Sequence, residues 1–214
     1  MALFGQANES ILRWPRLGLV QAGAVAASTR QFEAILQQIE DATRKAKALS
    51  AGRTQADLIT SREANSWSVA QCLDHLAQTT NVFLPVIAEA IGRAPRLGSN
   101  RRLRTGVVTQ MLIRNLEPPY RLRFKALKAI VPQHHDFASA WNAFEESQLR
   151  LAATIQSAAG LALDEVRIQS PVYARVSYNV YGALRVLAAH QRRHLWQIEQ
   201  ILQALDVIQQ RNVS

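Results

Sequence analysis

The pentapeptide His190-Gln191-Arg192-Arg193-His194 lies at the centre of a long predicted helix, roughly residues 179–209, around which the rest of the chain is expected to be organised. Two histidines that are four residues apart in a helix project from the same face, about 40° from each other. Both imidazoles can therefore reach one point in space. The direction of that face decides whether this point lies in solvent or in the protein core.

The apolar pattern of this helix directs the histidine face into the core. Two seven-residue series interleave along the helix: Val180, Leu187, His194, Ile201 and Ile208, and Leu184, Gln191, Ile198 and Leu205. His194 thus occupies a position that leucine or isoleucine fills elsewhere, and His190 flanks it. Burying a polar group without a partner costs roughly 1–3 kcal/mol. A metal ion would be a partner for both histidines, whereas ordinary hydrogen bonding in the core is the alternative that the spacing leaves open.

Length and composition predict one cytoplasmic domain without a membrane span. The chain has 214 residues, of which 48% are hydrophobic, and this is enough for one sizeable core. Its single cysteine, Cys72, excludes an internal disulfide and fits a reducing compartment. No stretch reaches the ~18–20 apolar residues of a membrane span. Gln21 interrupts a weakly signal-like stretch at 17–27, so we expect no cleaved leader.

The net charge of +9 raises the question of nucleic-acid binding. The basic residues are scattered along the chain, and their densest run, Arg101, Arg102 and Arg104, has few aromatic neighbours. A solvated basic face is therefore the favoured interpretation, and we expect no nucleic-acid partner.

Apolar periodicity predicts an all-α fold with four long helices, preceded by an N-terminal extension at 1–27. The helical domain is expected at 28–210. Its first three helices are expected at about 28–51, 68–91 and 136–159, with Ser28, Ser68 and Asp136 as N-caps. The connection between the second and third helices is long enough to suggest a crossover, with a short helix at about 101–116. A short extended piece is expected at 172–176.

The chain has five histidines, and neutral imidazole is a common ligand of zinc, nickel, iron and copper. A catalytic zinc site usually has three protein ligands and one open position. His75 lies on the second helix beside an apolar line and is the candidate for a third ligand, whereas His134 and His135 stand at a loop-to-helix junction. The pentapeptide lacks the glutamate of His-Glu-x-x-His, which argues against a zinc protease.

Two stretches of the chain resemble the signatures of the DinB/YfiT-like superfamily. Residues 67–77, WSVAQCLDHLA, are similar to its W-S-x-x-[polar]-x-[L/V]-x-H-L pattern. Residues 190–198, HQRRHLWQI, are similar to its closing H-x-x-[R/x]-H-x-x-Q-I pattern. The resemblance spans approximately residues 29–205, and it implies a four-helix bundle with a long crossover between helices two and three.

The resemblance also implies a divalent metal (zinc, nickel, iron or manganese) held by His75, His190 and His194. Known activities in the superfamily are mostly thiol transfers, in which glutathione, bacillithiol or mycothiol is activated at the metal. We therefore expect a metal-dependent transferase that acts on a small thiol and an electrophilic small-molecule substrate. A bundle that binds a metal or a partner without catalysis is the alternative. The N-terminal segment and the basic crossover at 96–128 depart from the short forms, so no particular substrate is carried over.

Three further residues are candidates for orienting the ligands or the substrate. Gln191 lies on the core line between the two histidines of the pentapeptide, and Tyr178 and Tyr181 stand near the start of the same helix. Capping or ordinary packing is the alternative role for each of them. Homodimerisation through an outer face of the bundle is common for such folds, and it remains a prediction here.

Three other residues of the first motif are expected to have structural roles only. Asp74 points about 100° away from His75 on the helix and is therefore expected at the surface. Cys72 is expected to be a small buried residue rather than a ligand. Trp67 is expected to be a core anchor.

Overall fold

The structure, a computed structural model, describes residues 27–63, 66–98, 101–119, 130–134 and 136–213. Six helices and one short antiparallel strand pair account for the regular structure of these residues. The helices are α1 (Ala27–Ser50), α2 (Gln55–Ile59), α3 (Val69–Gly92), α4 (Val107–Leu116), α5 (Phe137–Ser157) and α6 (Val180–Val213). The strands are β1 (Arg167–Gln169) and β2 (Ser177–Asn179), and Ile168 pairs with Tyr178.

The four long helices, α1, α3, α5 and α6, form the predicted bundle. Helices α1 and α3 each pack against both α5 and α6, and the short helix α4 packs against α6. The all-α prediction is confirmed. Residues 93–136, between α3 and α5, form the long connection that the sequence indicated, and α4 is part of it.

The core of the bundle consists of two large apolar clusters that meet at the level of the histidines. One cluster contains Phe83 of α3 and Leu184 of α6. The other contains Leu73 of α3 and Ile198 of α6. His75 lies between Leu73 and Phe83 along α3, and both histidines of the pentapeptide lie between Leu184 and Ile198 along α6. The polar residues therefore interrupt an otherwise apolar interior.

Side-chain caps fix where two of the bundle helices begin. The Ser68 hydroxyl accepts the Gln71 N–H at 3.2 Å, and the Gln71 side chain accepts the Ser68 N–H at 3.0 Å. This reciprocal capping box confirms Ser68 as the N-cap of α3. Asp136 caps α5 by accepting the Ser139 N–H at 2.8 Å, as predicted. Ser28 is different, because it lies within α1 and is not its cap.

Tertiary contacts make the predicted short helix begin later than expected, at Val107 instead of about residue 101. The side chain of Gln31 on α1 accepts the Leu103 N–H at 2.7 Å and donates to the Leu103 carbonyl at 3.0 Å. Arg101 is held by Asp164. Residues 101–106 therefore have their hydrogen bonds outside a helix, and the helix starts only after them.

Two other local predictions need correction. The extended structure lies at 167–169 and 177–179, and residues 172–176 form the connection between the two strands. The short helix α2 was not predicted, although its Thr54 and Asp57 form a capping box. One turn of helix has too few apolar residues to produce a visible period.

The beginning of the long connection is fastened to the loop that follows α5. Arg96 pairs with Leu161, and the Leu97 N–H donates to the Gly160 carbonyl at 2.9 Å. Gly160 has a φ of 80°, which favours glycine, and it follows the end of α5 as the sequence indicated.

None of the described helices is both long and apolar enough to cross a membrane. Residues 1–26 lie outside the described residues. The division of the chain into an extension at 1–27 and a bundle at 28–210 therefore stays a prediction.

Candidate metal centre

Three imidazoles from two helices converge in the interior of the bundle. His75 lies in the second turn of α3, and His190 and His194 lie in the middle of α6. The Nε2 atom of His190 is 3.2 Å from His75 Nε2 and 3.1 Å from His194 Nε2. His75 and His194 are buried, and His190 is half-buried. These three are a group whose ligand atoms all lie within 4.8 Å of one another.

The spacing of these nitrogens suits ligands of one metal ion. With metal–nitrogen distances of roughly 2.0–2.1 Å and tetrahedral angles, two ligand nitrogens are about 3.3 Å apart. The measured distances of 3.2 Å and 3.1 Å are close to that value. Direct packing of three neutral imidazoles does not require their Nε2 atoms to face one another, so the geometry favours a shared ligand.

Hydrogen bonding of His75 also favours a cation. His75 Nδ1 lies 2.6 Å from the carbonyl oxygen of Ile130, to which it can only donate. In the neutral ring, His75 Nε2 then has a lone pair and no proton. His190 Nε2 has one proton or one lone pair, so it cannot form a normal hydrogen bond with both neighbours. A cation would interact with all three lone pairs, and the residues present therefore fit a divalent metal.

The electrostatic environment keeps the three histidines neutral, which is the form of the ring that binds a metal. Burial lowers the pKa of His75, although the Ile130 hydrogen bond and the Asp74 charge oppose this effect. Burial also lowers the pKa of His190 and of His194 well below the usual value, and the neighbouring histidines and Arg193 lower it further. Imidazoles with a lowered pKa are neutral at pH 7, and only the neutral ring binds a metal.

Comparison with known proteins assigns the chain to a family. The family model described as the DinB superfamily matches residues 26–198, which include all three histidines. The chain belongs to the DinB superfamily. Searches of curated proteins and of solved structures gave no match. The DinB family assignment confirms the resemblance seen in the two motifs, and it supports the interpretation of the three histidines as a metal centre.

In this DinB-superfamily chain, Trp67 covers one side of the histidine cluster. Its ring centroid is 4.6 Å from that of His75 and 5.8 Å from that of His194. Trp67 immediately precedes the capping box of α3, so the cap that starts the helix also places the indole over the imidazoles. The sequence predicted a core anchor, and the structure shows that the anchor contacts the cluster.

Asp74 is buried, contrary to the expectation that it lies at the surface. The residue is 0% exposed, and its Oδ2 accepts the N–H groups of Gln133 and His134, the latter at 3.1 Å. A helical wheel places Asp74 away from His75, but it does not show that the connection between α4 and α5 covers that face of α3. The prediction was therefore wrong because it considered the helix alone.

A few buried polar side-chain atoms of the described residues lie close to the histidines along the chain and have no hydrogen-bond partner. Among the residues that the structure describes, these atoms are Asp74 Oδ1, Thr79 Oγ1 and His194 Nδ1. All three belong to the two helices that supply the histidines, within four residues of a histidine of the cluster. Such atoms are rare in folded proteins.

Cys72 is not a ligand of this cluster. It lies one turn before His75 but is fully buried, and burial raises the pKa of its thiol. Within the described ranges, no cysteine, aspartate or glutamate joins the three histidines as a further ligand. His134 has an exposed side chain outside the cluster, and His135 lies outside the described residues.

The three candidates for orienting the ligands have contacts away from the histidines. Gln191 Nε2 donates to Gln148 Oε1 on α5 at 2.6 Å. The Tyr181 hydroxyl accepts from Gln31 at 2.9 Å. Tyr178 is buried and stacks on Phe83, with ring centroids 6.3 Å apart. The hydrogen bonds of the described residues therefore give no support to a role of Gln191, Tyr178 or Tyr181 in orienting the histidines.

Arg193 is a residue of the site that the sequence reasoning missed. It is only 6% exposed, and its charge lowers the pKa of both His190 and His194. Its guanidinium lies 3.5 Å from the Asn115 carbonyl on α4. A signal was present in the sequence, because Arg193 lies between two histidines of a core-facing helix, but charged residues are usually exposed.

Proposed function

We propose that this protein is a divalent-metal-dependent enzyme, a transferase in which a small thiol reacts with an electrophilic small molecule. The observation that carries the proposal is the convergence of three Nε2 atoms, 3.1–3.2 Å from neighbour to neighbour, without a further cysteine or carboxylate ligand among the described residues. Three protein ligands and an open position are typical of catalytic metal sites, whereas structural sites usually have four.

The charges around the cluster support an anionic ligand at the open position. Three neutral imidazoles leave the charge of a divalent ion undiminished, and Arg193 adds a positive charge beside His190 and His194. A bound divalent ion would lower the pKa of a coordinating water or thiol. Membership of a superfamily whose known activities are mostly thiol transfers favours a thiol such as glutathione, bacillithiol or mycothiol.

The residues of the chain would prepare the site for this chemistry. The Ile130 carbonyl fixes the His75 ring with its Nε2 lone pair available. Trp67 packs over His75 and His194 and would exclude water from that side of the cluster. The thiol of the substrate would carry out the nucleophilic attack, since burial keeps the only cysteine of the chain, Cys72, protonated.

Elemental analysis of protein purified without chelators is the first test. We expect a stoichiometric divalent metal in the wild type and its loss in His75→Ala, His190→Ala and His194→Ala. His134→Ala is the matched control, because the exposed side chain of His134 lies outside the cluster. Metal content that is unchanged in the three cluster variants would contradict the assignment. The same analysis would distinguish zinc, nickel, iron and manganese, of which the first three suit imidazole ligands and manganese prefers oxygen ligands.

A thiol-consumption screen tests the catalytic part of the proposal. Metal-loaded protein would be incubated with glutathione, bacillithiol or mycothiol and a panel of electrophiles. We expect consumption of one thiol that depends on the metal and is absent in His190→Ala. Binding of a metal without any thiol consumption would favour the alternative of a non-catalytic metal-binding or partner-binding bundle.

A cytoplasmic location and a homodimer belong to the same proposal. The single cysteine supports the first and the usual behaviour of such bundles the second. Light scattering on the purified protein would give the mass of one chain or of two, and a monomer at all concentrations would exclude the dimer.

A further inference from the structure

The connection between α4 and α5 is fastened to two adjacent residues of α3, one of which belongs to the histidine cluster. Asp74 Oδ2 accepts the N–H groups of Gln133 and His134. His75 Nδ1 donates to the carbonyl oxygen of Ile130 at 2.6 Å. Successive side chains of a helix point about 100° apart. The segment 130–134 therefore has to run across the surface of α3 to meet both side chains.

The orientation of the His75 ring therefore depends on the position of the segment 130–134. An imidazole on a helix can rotate about two side-chain bonds, and a hydrogen bond to its second nitrogen fixes both its orientation and its tautomer. Here the acceptor is the carbonyl of Ile130, which is outside the regular helices and strands. Its position depends on what holds the segment 130–134 against α3.

Besides His75 itself, the side chain of Asp74 holds the backbone of this segment to α3. A carboxylate that is 0% exposed is costly unless it is hydrogen-bonded, so its presence points to a specific partner. Two backbone N–H groups, three and four residues after Ile130, are that partner.

We propose that Asp74 is a positioning residue for His75. By holding the amides of Gln133 and His134, it keeps the Ile130 carbonyl in the place where it directs His75 Nε2 towards His190 and His194. Asp74 acts through the segment 130–134 and has no contact with the metal in this proposal. The inference rests on the proposed metal centre, but its structural part can be tested in the metal-free protein.

A purely electrostatic effect of Asp74 on His75 is the competing explanation. The two explanations predict different effects for Asp74→Asn, which keeps an oxygen that can accept the two N–H groups but removes the charge. They predict the same effect for Asp74→Ala, which removes both the acceptor and the charge. Asp164→Ala is the matched control, because Asp164 is also a largely buried carboxylate that accepts a backbone N–H, that of Arg104 at 3.1 Å.

The first measurements use the metal-free protein. Nitrogen-15 chemical shifts of the wild type should show His75 as the tautomer protonated at Nδ1. Hydrogen exchange should show protected amides at Gln133 and His134. Asp74→Ala should lose this protection and populate the other His75 tautomer, Asp74→Asn should keep most of both, and Asp164→Ala should change neither.

The second measurement is the affinity for Zn²⁺, obtained by competition with a chromophoric chelator. Loss of groups that orient metal ligands typically weakens metal binding roughly 10–100-fold. We expect a loss of that size in Asp74→Ala, a smaller loss in Asp74→Asn and no loss in Asp164→Ala.

Several results would overturn the proposal. Equal losses of affinity in Asp74→Asn and Asp74→Ala would assign the effect to charge, and wild-type affinity in Asp74→Ala would remove the role altogether. If Asp74→Ala does not fold, the nitrogen-15 chemical shifts of the wild type still test the proposal. An unprotonated His75 Nδ1 would contradict the hydrogen bond to Ile130 on which the proposal depends. A wild type that binds no metal but shows the expected tautomer and protection would reject the metal centre and keep the positioning of His75.

Discussion

Gln191 lies in the predicted place in the core and forms a contact between helices that the sequence did not indicate. The core-facing heptad position was predicted correctly, since Gln191 is only 2% exposed. Its amide, however, forms a reciprocal pair with Gln148 of α5, whose Nε2 donates back to Gln191 Oε1 at 3.2 Å. Gln148 also reaches Thr43 of α1 at 3.3 Å. The amide pair thus joins three bundle helices.

Breaking the amide pair between Gln148 and Gln191 is expected to lower the stability of the fold without loss of metal. In Gln191→Leu, the side chain of Gln148 keeps only its long contacts to α1, and an unsatisfied buried group costs roughly 1–3 kcal/mol. Urea denaturation should show a decrease of this size in the free energy of unfolding. The double variant Gln148→Leu/Gln191→Leu should be less destabilised than the sum of the two single variants. Loss of metal from a stable Gln191→Leu protein would instead support a role in orienting the ligands.

At the scale of elements, α4 approaches α6 closely at Gly182. A Cβ added at this position would lie 2.9 Å from both Asn179 Oδ1 and Thr109 Cγ2. Asn179 is itself fixed, because it accepts the Gly182 N–H at 2.8 Å and donates to the Arg104 carbonyl at 2.8 Å. The residue that permits the helices to pack is therefore a glycine for reasons of space, which periodicity cannot reveal.

Gly182→Ala is expected to destabilise the protein in spite of the higher helix propensity of alanine. Overpacking typically costs 1–3 kcal/mol, which exceeds the gain of about 1 kcal/mol from replacing a helical glycine. Thermal unfolding should show the decrease. Gly92→Ala, at the end of α3, is the control, because a Cβ there meets nothing within 4 Å. Equal Tm values for Gly182→Ala and Gly92→Ala would contradict the close approach.

Asp164 connects the loop after α5 to the segment before α4 and gives a pH-dependent contribution to stability. Burial by itself would raise its pKa, but hydrogen bonds from the Arg101 side chain and the Arg104 amide outweigh that effect and lower it. An Asp pKa that is lower in the folded state stabilises that state above the unfolded pKa of about 3.9. The stabilisation is lost as the pH falls through the folded pKa.

The corresponding experiment compares the wild type with Asp164→Asn by urea denaturation at several pH values. The difference in free energy of unfolding should be greatest near pH 7 and should shrink below about pH 4, where the carboxylate of the unfolded chain becomes protonated while that of the folded protein is still ionised. A difference that does not change with pH would show that the charge of Asp164 does not contribute to stability.

At the scale of the whole molecule, a metal at the cluster would join α3 to α6 in the middle of the bundle. The histidines lie where the two apolar clusters meet, so polar rings take the place of apolar side chains at this level of the core. A ligand that binds only the folded state stabilises it by about 4.1 kcal/mol at a concentration 1,000 times its dissociation constant. Metal binding would therefore make a large contribution to the stability of the fold.

Removal of the metal is expected to lower the thermal stability of the wild type. A chelator should decrease the Tm of the wild type and of His134→Ala, and re-addition of the ion should restore it. The Tm of His190→Ala should be unaffected by the chelator, since that variant lacks a ligand. A similar decrease in all three proteins would mean that the chelator acts at another place.

In spite of its net charge of +9, the protein is expected not to bind nucleic acid. Several arginines of the described residues are used in pairs between elements, including Arg53 with Asp206 and Arg192 with Glu117. Fluorescence anisotropy with labelled DNA should show no binding at about 0.15 M salt. Tight binding that weakens steeply with salt would contradict this prediction.

The sequence by itself determined the all-α class, the starts of α3 and α5 and the pairing of His190 with His194, whereas His75 was a candidate that the family resemblance singled out. These features depend on local physics: apolar residues recur with the helical period, Ser68 and Asp136 satisfy free N–H groups, and the His-x-x-x-His spacing places two rings on one face. Each of these signals lies within one or two turns of the chain.

The tertiary structure alone decided what surrounds those histidines. The burial of Asp74, the donation from His75 to Ile130, and the contact of Trp67 with both ligand helices all join residues far apart in the chain. A helical wheel describes one helix in isolation, and it cannot show which face a later loop will cover. For that reason the candidate histidines could be predicted from the sequence, and the residues that surround them could not.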